Sequence, residues 1–108
     1  MALTEDSAYQ LLREAIIGRR SLRANYRDYF RMFCPYMLGT DLEGDRAVIV
    51  FQYDGGQPGG LPALGLWHTW KVAKMHSIGL AGDRWRCGEL GDAPRLAIID
   101  VVAVTDDN

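Results

Sequence analysis

The stretch Arg46–Tyr53, RAVIVFQY, does most to decide what this chain can become. Its β-branched and aromatic residues favour extended backbone over helix. Near its centre apolar side chains fall on both alternating faces. A strand of that kind runs through a core, and the rest of the fold has to be assembled around it.

The flanking sequence supplies partners. Leu22, Ala24 and Tyr26 alternate with Arg23, Asn25 and Arg27, which is the pattern of a half-exposed strand with a basic outer face. A turn near Asp28 leads to a second strand over Phe30–Leu38, in which Pro35 predicts an edge position or a bulge. Gly39–Asp45 reads as a turn. Asp54–Gly65, DGGQPGGLPALG, carries five glycines and two prolines and is a long loop of the kind that often serves function. Leu66–Ile78, LWHTWKVAKMHSI, follows as a strand bent near Ala73–Lys74. Gly79–Asp83 reads as a tight turn from which Arg84–Cys87 pairs back. In the tail Arg95–Thr105, RLAIIDVVAVT, the residues Ile98, Ile99, Val101, Val102 and Val104 favour a strand over a helix.

Only the N-terminus reads as helical. Thr4 precedes Glu5, Asp6 and Ser7, a capped start with acids in the first turn. Ala8, Leu11, Leu12, Ala15 and Ile16 recur at helical spacing, and Gly18 is a natural stop. One helix followed by short antiparallel strands predicts a mainly β fold, a small barrel of about five strands with the helix capping one end and an extra strand at the C-terminus.

At 108 residues the chain is expected to form a single domain, 1–108, large enough to bury a core without a metal or disulfide staple. It divides into a helix over 4–18, the barrel over 21–87, and a C-terminal strand with an acidic tail over 92–108. A net charge of −2 excludes a polycation that coats nucleic acid over its whole surface. The charge is uneven, however. Arg13, Arg19, Arg20, Arg23, Arg27 and Arg31 face only Glu14 and Asp28, and Lys71, Lys74, Arg84 and Arg86 face only Asp83. A local basic face on an acidic protein is one reading; ordinary solvated positions are the other. The start, MALTEDSAYQ, lacks the apolar run of a signal peptide, and no stretch approaches the ~20 apolar residues that span a bilayer. The expected setting is the cytoplasm, with no membrane partner and with Cys34 and Cys87 as reduced thiols.

Catalytic chemistry is poorly represented. GGQPGG lacks the lysine and the strand–loop–helix setting of a phosphate-cradling loop. Cys34, Cys87, His68 and His76 lack the close pair spacing of a zinc site, and read better as buried cysteines and surface histidines. Cys34 with a histidine is a pairing that arises by chance in many chains. The chain therefore reads as a binding module, not an enzyme, and calls for no cofactor. The positive signal is aromatic residues interleaved with bases: Tyr26, Arg27, Tyr29, Phe30 and Arg31; Trp67, His68, Trp70, Lys71 and Lys74; and Arg84, Trp85 and Arg86. Small barrels that bind single strands combine stacking platforms with cationic grooves. Aromatics on strands are more often core, which is the expectation for Trp70 and Trp85. Trp67 directly follows the loop and is the tryptophan expected to reach a ligand.

Taken in order, these landmarks resemble the WYL domain family, particularly its short, near-stand-alone members. A helix precedes a strand ending in Tyr26. Then come Arg31, the Pro35-Tyr36 dipeptide, Leu38-Gly39, the turn glycine Gly44, and an apolar strand ending in Phe51-Gln52. A Gly-rich loop, Trp67, and an alternating strand through Trp70 and Val72 follow, and Trp85 stands where a closing aromatic is expected. The Trp-Tyr-Leu triplet that names the family is absent, its place being near Ala47-Val48-Ile49, and Lys74-Met75 replaces the usual arginine and isoleucine. The resemblance implies a bacterial Sm-like (SH3-like) barrel used as a ligand-sensing or regulatory module in transcription or defence, with nucleotides or nucleic-acid fragments as effectors.

The site expected on these grounds comprises Tyr26, Arg31, Gln52, Trp67, His68 and Lys74, with the 54–65 loop at its rim. Arginine and lysine would engage phosphate, Trp67 or Tyr26 would stack a base, and Gln52 would give directional hydrogen bonds. The alternative is a protein-interaction module without a small ligand, a homodimer formed through the apolar segment 95–105. Against it stands closure of the chain's own barrel by that segment.

Overall fold

The computed structural model describes residues 4–86, 88 and 90–103. Cys87 and the last residues of the tail strand and acidic tail lie outside them. Helix α1 (Glu5–Gly18) is followed by strands β1 (Leu22–Tyr26), β2 (Tyr29–Thr40), β3 (Arg46–Gly55), β4 (Leu66–Lys71), β5 (Met75–Leu80) and β6 (Ile98–Val102). The fold is mainly β. All strand pairs are antiparallel, in the order β4-β3-β2-β1-β5, with β6 added to β2.

Local chemistry accounts for most boundaries. Thr4 Oγ1 accepts from the Ser7 backbone N–H and caps α1. The left-handed residue that ends the helix is Arg19 (φ 53°), not Gly18. Tyr26 and Tyr29 pair across a two-residue hairpin whose Arg27 and Asp28 both have positive φ, 51° and 67°, a turn that usually selects Asn-Gly. The bend expected in the 66–78 stretch is a full break: a 3-10 turn over Val72–Lys74 divides it into β4 and β5.

Pro35 sits at a register shift in β2, as its sequence predicted. On the opposite edge of β2, pairing to β1 stops at Phe33 and pairing to β6 begins at Met37, so Pro35 also falls in a local gap. Arg84–Arg86 do not form the returning strand expected of them. Their place at the sheet is a side contact, the Arg86 backbone N–H donating to Cys34 Sγ at 2.9 Å.

The sheet curls. In a flat sheet β4 and β5 would stand about 19 Å apart, four strand spacings. The link from Lys71 to Met75 spans only about 8 Å in 3-10 geometry, so the two ends of the sheet must bend towards each other. Lys71 N donates to the Tyr26 hydroxyl of β1 at 3.3 Å across this bend. No ladder joins β4 to β5, and the sheet is not closed by hydrogen bonds.

The curl buries an inner face. Leu22, Ala24, Tyr26, Phe33, Val48, Val50, Trp70 and Val72 line it, with Ala8, Leu12, Ala15 and Ile16 of α1 packed in. On the outer face Met37, Ala47, Ile49 and Leu96 form a second cluster. Strand β3 is thus covered on both sides, as RAVIVFQY requires. Trp70 belongs to the core and Trp85 packs against it. No helix among the described residues is long and apolar enough to cross a membrane.

Candidate functional site

Alternation along four strands brings one group of polar side chains to the inner face, in a cleft lined also by Gln57 and Pro58 of the 54–65 loop. Residues Leu22, Ala24 and Tyr26 share a face on β1. Arg31 and Phe33 share it on β2, Val48, Val50 and Gln52 on β3, and His68 and Trp70 on β4. Tyr26, Arg27, Arg31, His68, Thr69 and Trp70 also line the cleft, whose volume is about 210 Å3.

Arg31 is its centre. The residue is only 2% exposed. Its guanidinium donates from Nη2 to the Tyr26 carbonyl at 3.0 Å and from Nη1 to Gln52 Oε1 at 3.2 Å. Aromatic faces surround the cation: Trp70 at 5.1 Å, Tyr29 at 5.4 Å and Tyr26 at 5.6 Å from its Cζ. Its Nε–H is buried with no hydrogen-bond partner, and no carboxylate among the described residues pairs with it. Burial pulls its pKa below the ordinary arginine range; the Tyr26 and Tyr29 hydroxyls act the other way. A buried cation without a counter-charge is costly.

His68 lies beside it. Its ring stacks on Trp70 at 5.1 Å and 24°. Its Nε2 is also buried and unpartnered. Burial, reinforced by the charge of Arg31, lowers its pKa from 6.5 to about 4. The ring is therefore neutral near pH 7. The cleft is lined by a fixed cation and a neutral imidazole, with an unpartnered buried nitrogen on each, which suits an anionic group of a ligand once the side chains move to admit it.

The sequence-expected set divides accordingly. Tyr26, Arg31, Gln52 and His68 come together. Gln52 is wholly buried and spends its amide nitrogen on the carbonyls of Asp54 (3.0 Å) and Gly56 (3.1 Å), so it positions Arg31 and does not reach a ligand. Tyr26 stacks on Trp70 at 4.9 Å and offers no open face to a base. Trp67 does not join them. One residue out of phase with His68, it points to the outer face and packs edge-on against Phe51 (5.3 Å) and Tyr36 (5.5 Å). Lys74 is at the other end of β4, in the 3-10 turn, near Glu5, Asp6 and Arg46. Arg27, Thr69 and Gln57 line the cleft without having been singled out as ligand contacts. Thr69 lies between the inward-facing His68 and Trp70 and is itself exposed, so alternation along β4 gave no signal for it.

Among the described residues one carboxylate group has metal-binding spacing, Asp41, Glu43 and Asp45. Lys71 Nζ occupies it, at 2.9, 2.9 and 2.8 Å from the three carboxylates. The cluster is thus satisfied by an internal cation.

No protein-family model, curated protein or solved structure matches the chain.

Proposed function

We propose that the chain is a non-catalytic binding module that holds the phosphate of a nucleotide or short nucleic acid in the Arg31 cleft. The observation that carries this reading is the buried guanidinium with an unmet Nε–H and no counter-charge among the described residues. A phosphate oxygen would supply both the charge and the acceptor. The interleaving of arginines with Tyr26, Tyr29 and Trp70 fits such a ligand. The resemblance to WYL domains adds the regulatory half of the reading, a ligand sensor in transcription or defence. It also adds the Sm-like barrel, to which the curl that carries the chain from β4 to β5 lends support.

Calorimetric titration of nucleotides and short single strands at low salt tests the proposal. Binding should weaken with salt and with Arg31→Lys, which keeps the charge but loses the fork. Lys74→Ala should leave it unchanged. Absence of binding at low salt, or indifference to Arg31→Lys, overturns the reading.

A second reading rests on a separate observation. Strand β6 pairs with β2 of its own chain and leaves its other edge open among the described residues. Its Ile98, Ile99 and Val102 are 65%, 44% and 40% exposed. Pairing of this edge with a second copy would cover them. Sedimentation decides: a dimer that Ile99→Lys converts to monomer supports it, and a monomeric parent chain removes it.

A further inference from the structure

Resting on the phosphate reading, we propose that the cleft binds a terminal, dianionic phosphate together with one proton, the anion lying between Arg31 Nε–H and a cationic His68. The cleft is then an acid-favoured oxyanion receptor, filling more tightly as pH falls.

The geometry starts from two orphaned atoms. Arg31 Nε and His68 Nε2 are both buried, both lack partners, and both belong to residues that line the same cleft. Both residues line one small cleft and the charge of Arg31 acts on His68, so an anion drawn to Arg31 Nε–H also lies in reach of the imidazole's field. If Nε2 presents its lone pair, the contact is repulsive. If it presents a proton, the contact is a charge-assisted hydrogen bond. Anion binding therefore favours the state in which Nε2 carries hydrogen, and the proton is drawn from solvent. No bond other than N–H forms.

Charge selects the dianion. The charged groups lining the cleft are Arg31 from β2 and Arg27 from the hairpin; Tyr26 of β1 lines it too, its hydroxyl accepting from Lys71 N. The loop contributes Gln57 and Pro58, and β4 contributes Thr69 and Trp70 beside His68, all of them neutral. Among the described residues no carboxylate bears on His68; burial and then Arg31 hold it unprotonated when the cleft is empty. A monoanionic phosphodiester would neutralise Arg31 and leave little attraction for a second cation. A dianion balances both Arg31 and protonated His68, because the third cation, Arg27, is exposed on the hairpin and its charge is screened by solvent. The volume, about 210 Å3, lies below the range of about 300–1,000 Å3 usual for whole ligands, and fits the end group of one.

Sulfate is the decisive probe, because it stays dianionic across the working range and any pH dependence belongs to the protein. Sulfate affinity should rise by up to about tenfold per pH unit between pH 6.5 and 5, the signature of one linked proton. The His68 resonance should titrate near 4 in the free protein and about two units or more higher with sulfate bound, the shift that a steep rise between pH 6.5 and 5 requires. His76, the other histidine and an exposed one, should move little. His68→Asn should keep weak binding and lose the pH dependence. A nucleoside monophosphate should compete with sulfate, its own pH profile levelling off below about pH 6 as its phosphate takes up a proton, and an oligonucleotide without a terminal phosphate should bind with a flat pH profile. Equal sulfate affinity at pH 5 and 7.5, or an unmoved His68 midpoint in the sulfate-bound protein, overturns this inference and leaves the phosphate reading standing. Failure of sulfate, nucleotide and oligonucleotide alike to bind at pH 5 and low salt overturns both.

Discussion

Arg31 donates to Gln52 Oε1 at 3.2 Å, and Gln52 turns its own amide nitrogen away, onto the backbone of the loop. The glutamine therefore has one role on each side. It accepts from a buried cation, and it pins the start of the 54–65 loop to the sheet. This couples the cleft's charge to the loop that forms its wall.

Gln52→Leu tests that coupling. The substitution preserves bulk but strands the buried Arg31 Nη1 and takes the donor from two part-buried backbone carbonyls. Leaving buried polar groups unmet costs about 1–3 kcal/mol each, reduced where water enters. A loss of about 1–3 kcal/mol in urea-unfolding free energy is expected, most of it from Arg31 Nη1. Faster amide exchange should accompany it at Gly56, whose carbonyl loses its donor. A loss under 0.5 kcal/mol would show that the pair is dispensable.

The empty cleft should leave its mark on the pH dependence of stability. In the unfolded chain His68 titrates near 6.5, and in the folded chain near 4. Its folded value is depressed, so between these limits the unfolded state binds the proton and the folded state does not. Stability is thus complete above about pH 6.5 and falls as pH drops towards 4. The full gap would correspond to about 3 kcal/mol. The ring is only half-buried, and solvent screening reduces this to about 1–2 kcal/mol. Unfolding of His68→Gln between pH 7 and 4, in buffers free of sulfate and phosphate, should show a profile flatter by that amount.

The sequence made the strands legible because their signals are local. Period-two alternation at Leu22–Tyr26 and two-sided apolarity at Arg46–Tyr53 need no knowledge of what packs against them. The site was legible only in part. Arg31, Gln52, Tyr26 and His68 could be proposed together from residue type and order, but residue type alone cannot say which way a strand faces. Trp67 and His68 are neighbours in sequence and occupy opposite faces of β4. That phase is set by pairing with β3, where Val50 stands opposite His68 and Phe51 opposite Trp67. Lys74 was misplaced for a related reason: the break after Lys71 ends the strand and takes the residue to the far end. The open sheet likewise depends on long-range pairing, which local pattern does not record.

Lys71 shows a lysine acting where its charge was first read as part of a basic surface. Its three carboxylate partners raise its pKa above the ordinary 10.5, led by Asp45, and its hydrogen bond is the chief cause that lowers Asp41 below 3.8. The raised lysine contributes stability that is complete below 10.5 and lost as pH rises beyond it. The lowered aspartate contributes stability present above 3.8 and lost as pH falls below it. Lys71→Met should therefore lower the melting temperature most between these limits, with the difference from the parent chain shrinking at both extremes. It should also expose Asp41, Glu43 and Asp45 as an open acidic group, detectable as a rise in melting temperature with millimolar calcium that the parent chain does not show. A variant whose melting temperature tracks the parent's at every pH would mean that the cage is only a surface arrangement.

The docking of β6 depends on one missing side chain. Gly39 pairs with Ile99, and a Cβ on Gly39 would overlap the Ile98 carbonyl oxygen and crowd the Ile98 carbonyl carbon at 3.0 Å. The obstacle is backbone, so no change of rotamer relieves it, and Gly39→Ala must push β6 away from β2. Crowding of this kind costs about 1–3 kcal/mol. The cost should be confined to the strand that moves: β1, β3 and β4 make no pairing with β6, the clash is on the β6 side of Gly39, and Arg31 lies near the opposite end of β2. Hydrogen exchange should therefore accelerate by about tenfold or more across residues 98–102, since about 1.4 kcal/mol is a factor of ten in an opening equilibrium. The amides of Val48 and Val50 should keep most of their protection. Tyr9, whose hydroxyl donates to Asp100, links α1 to the same strand and should report the displacement through its fluorescence or ring resonances. Uniform loss of protection across the sheet would show instead that β6 is integral to the core.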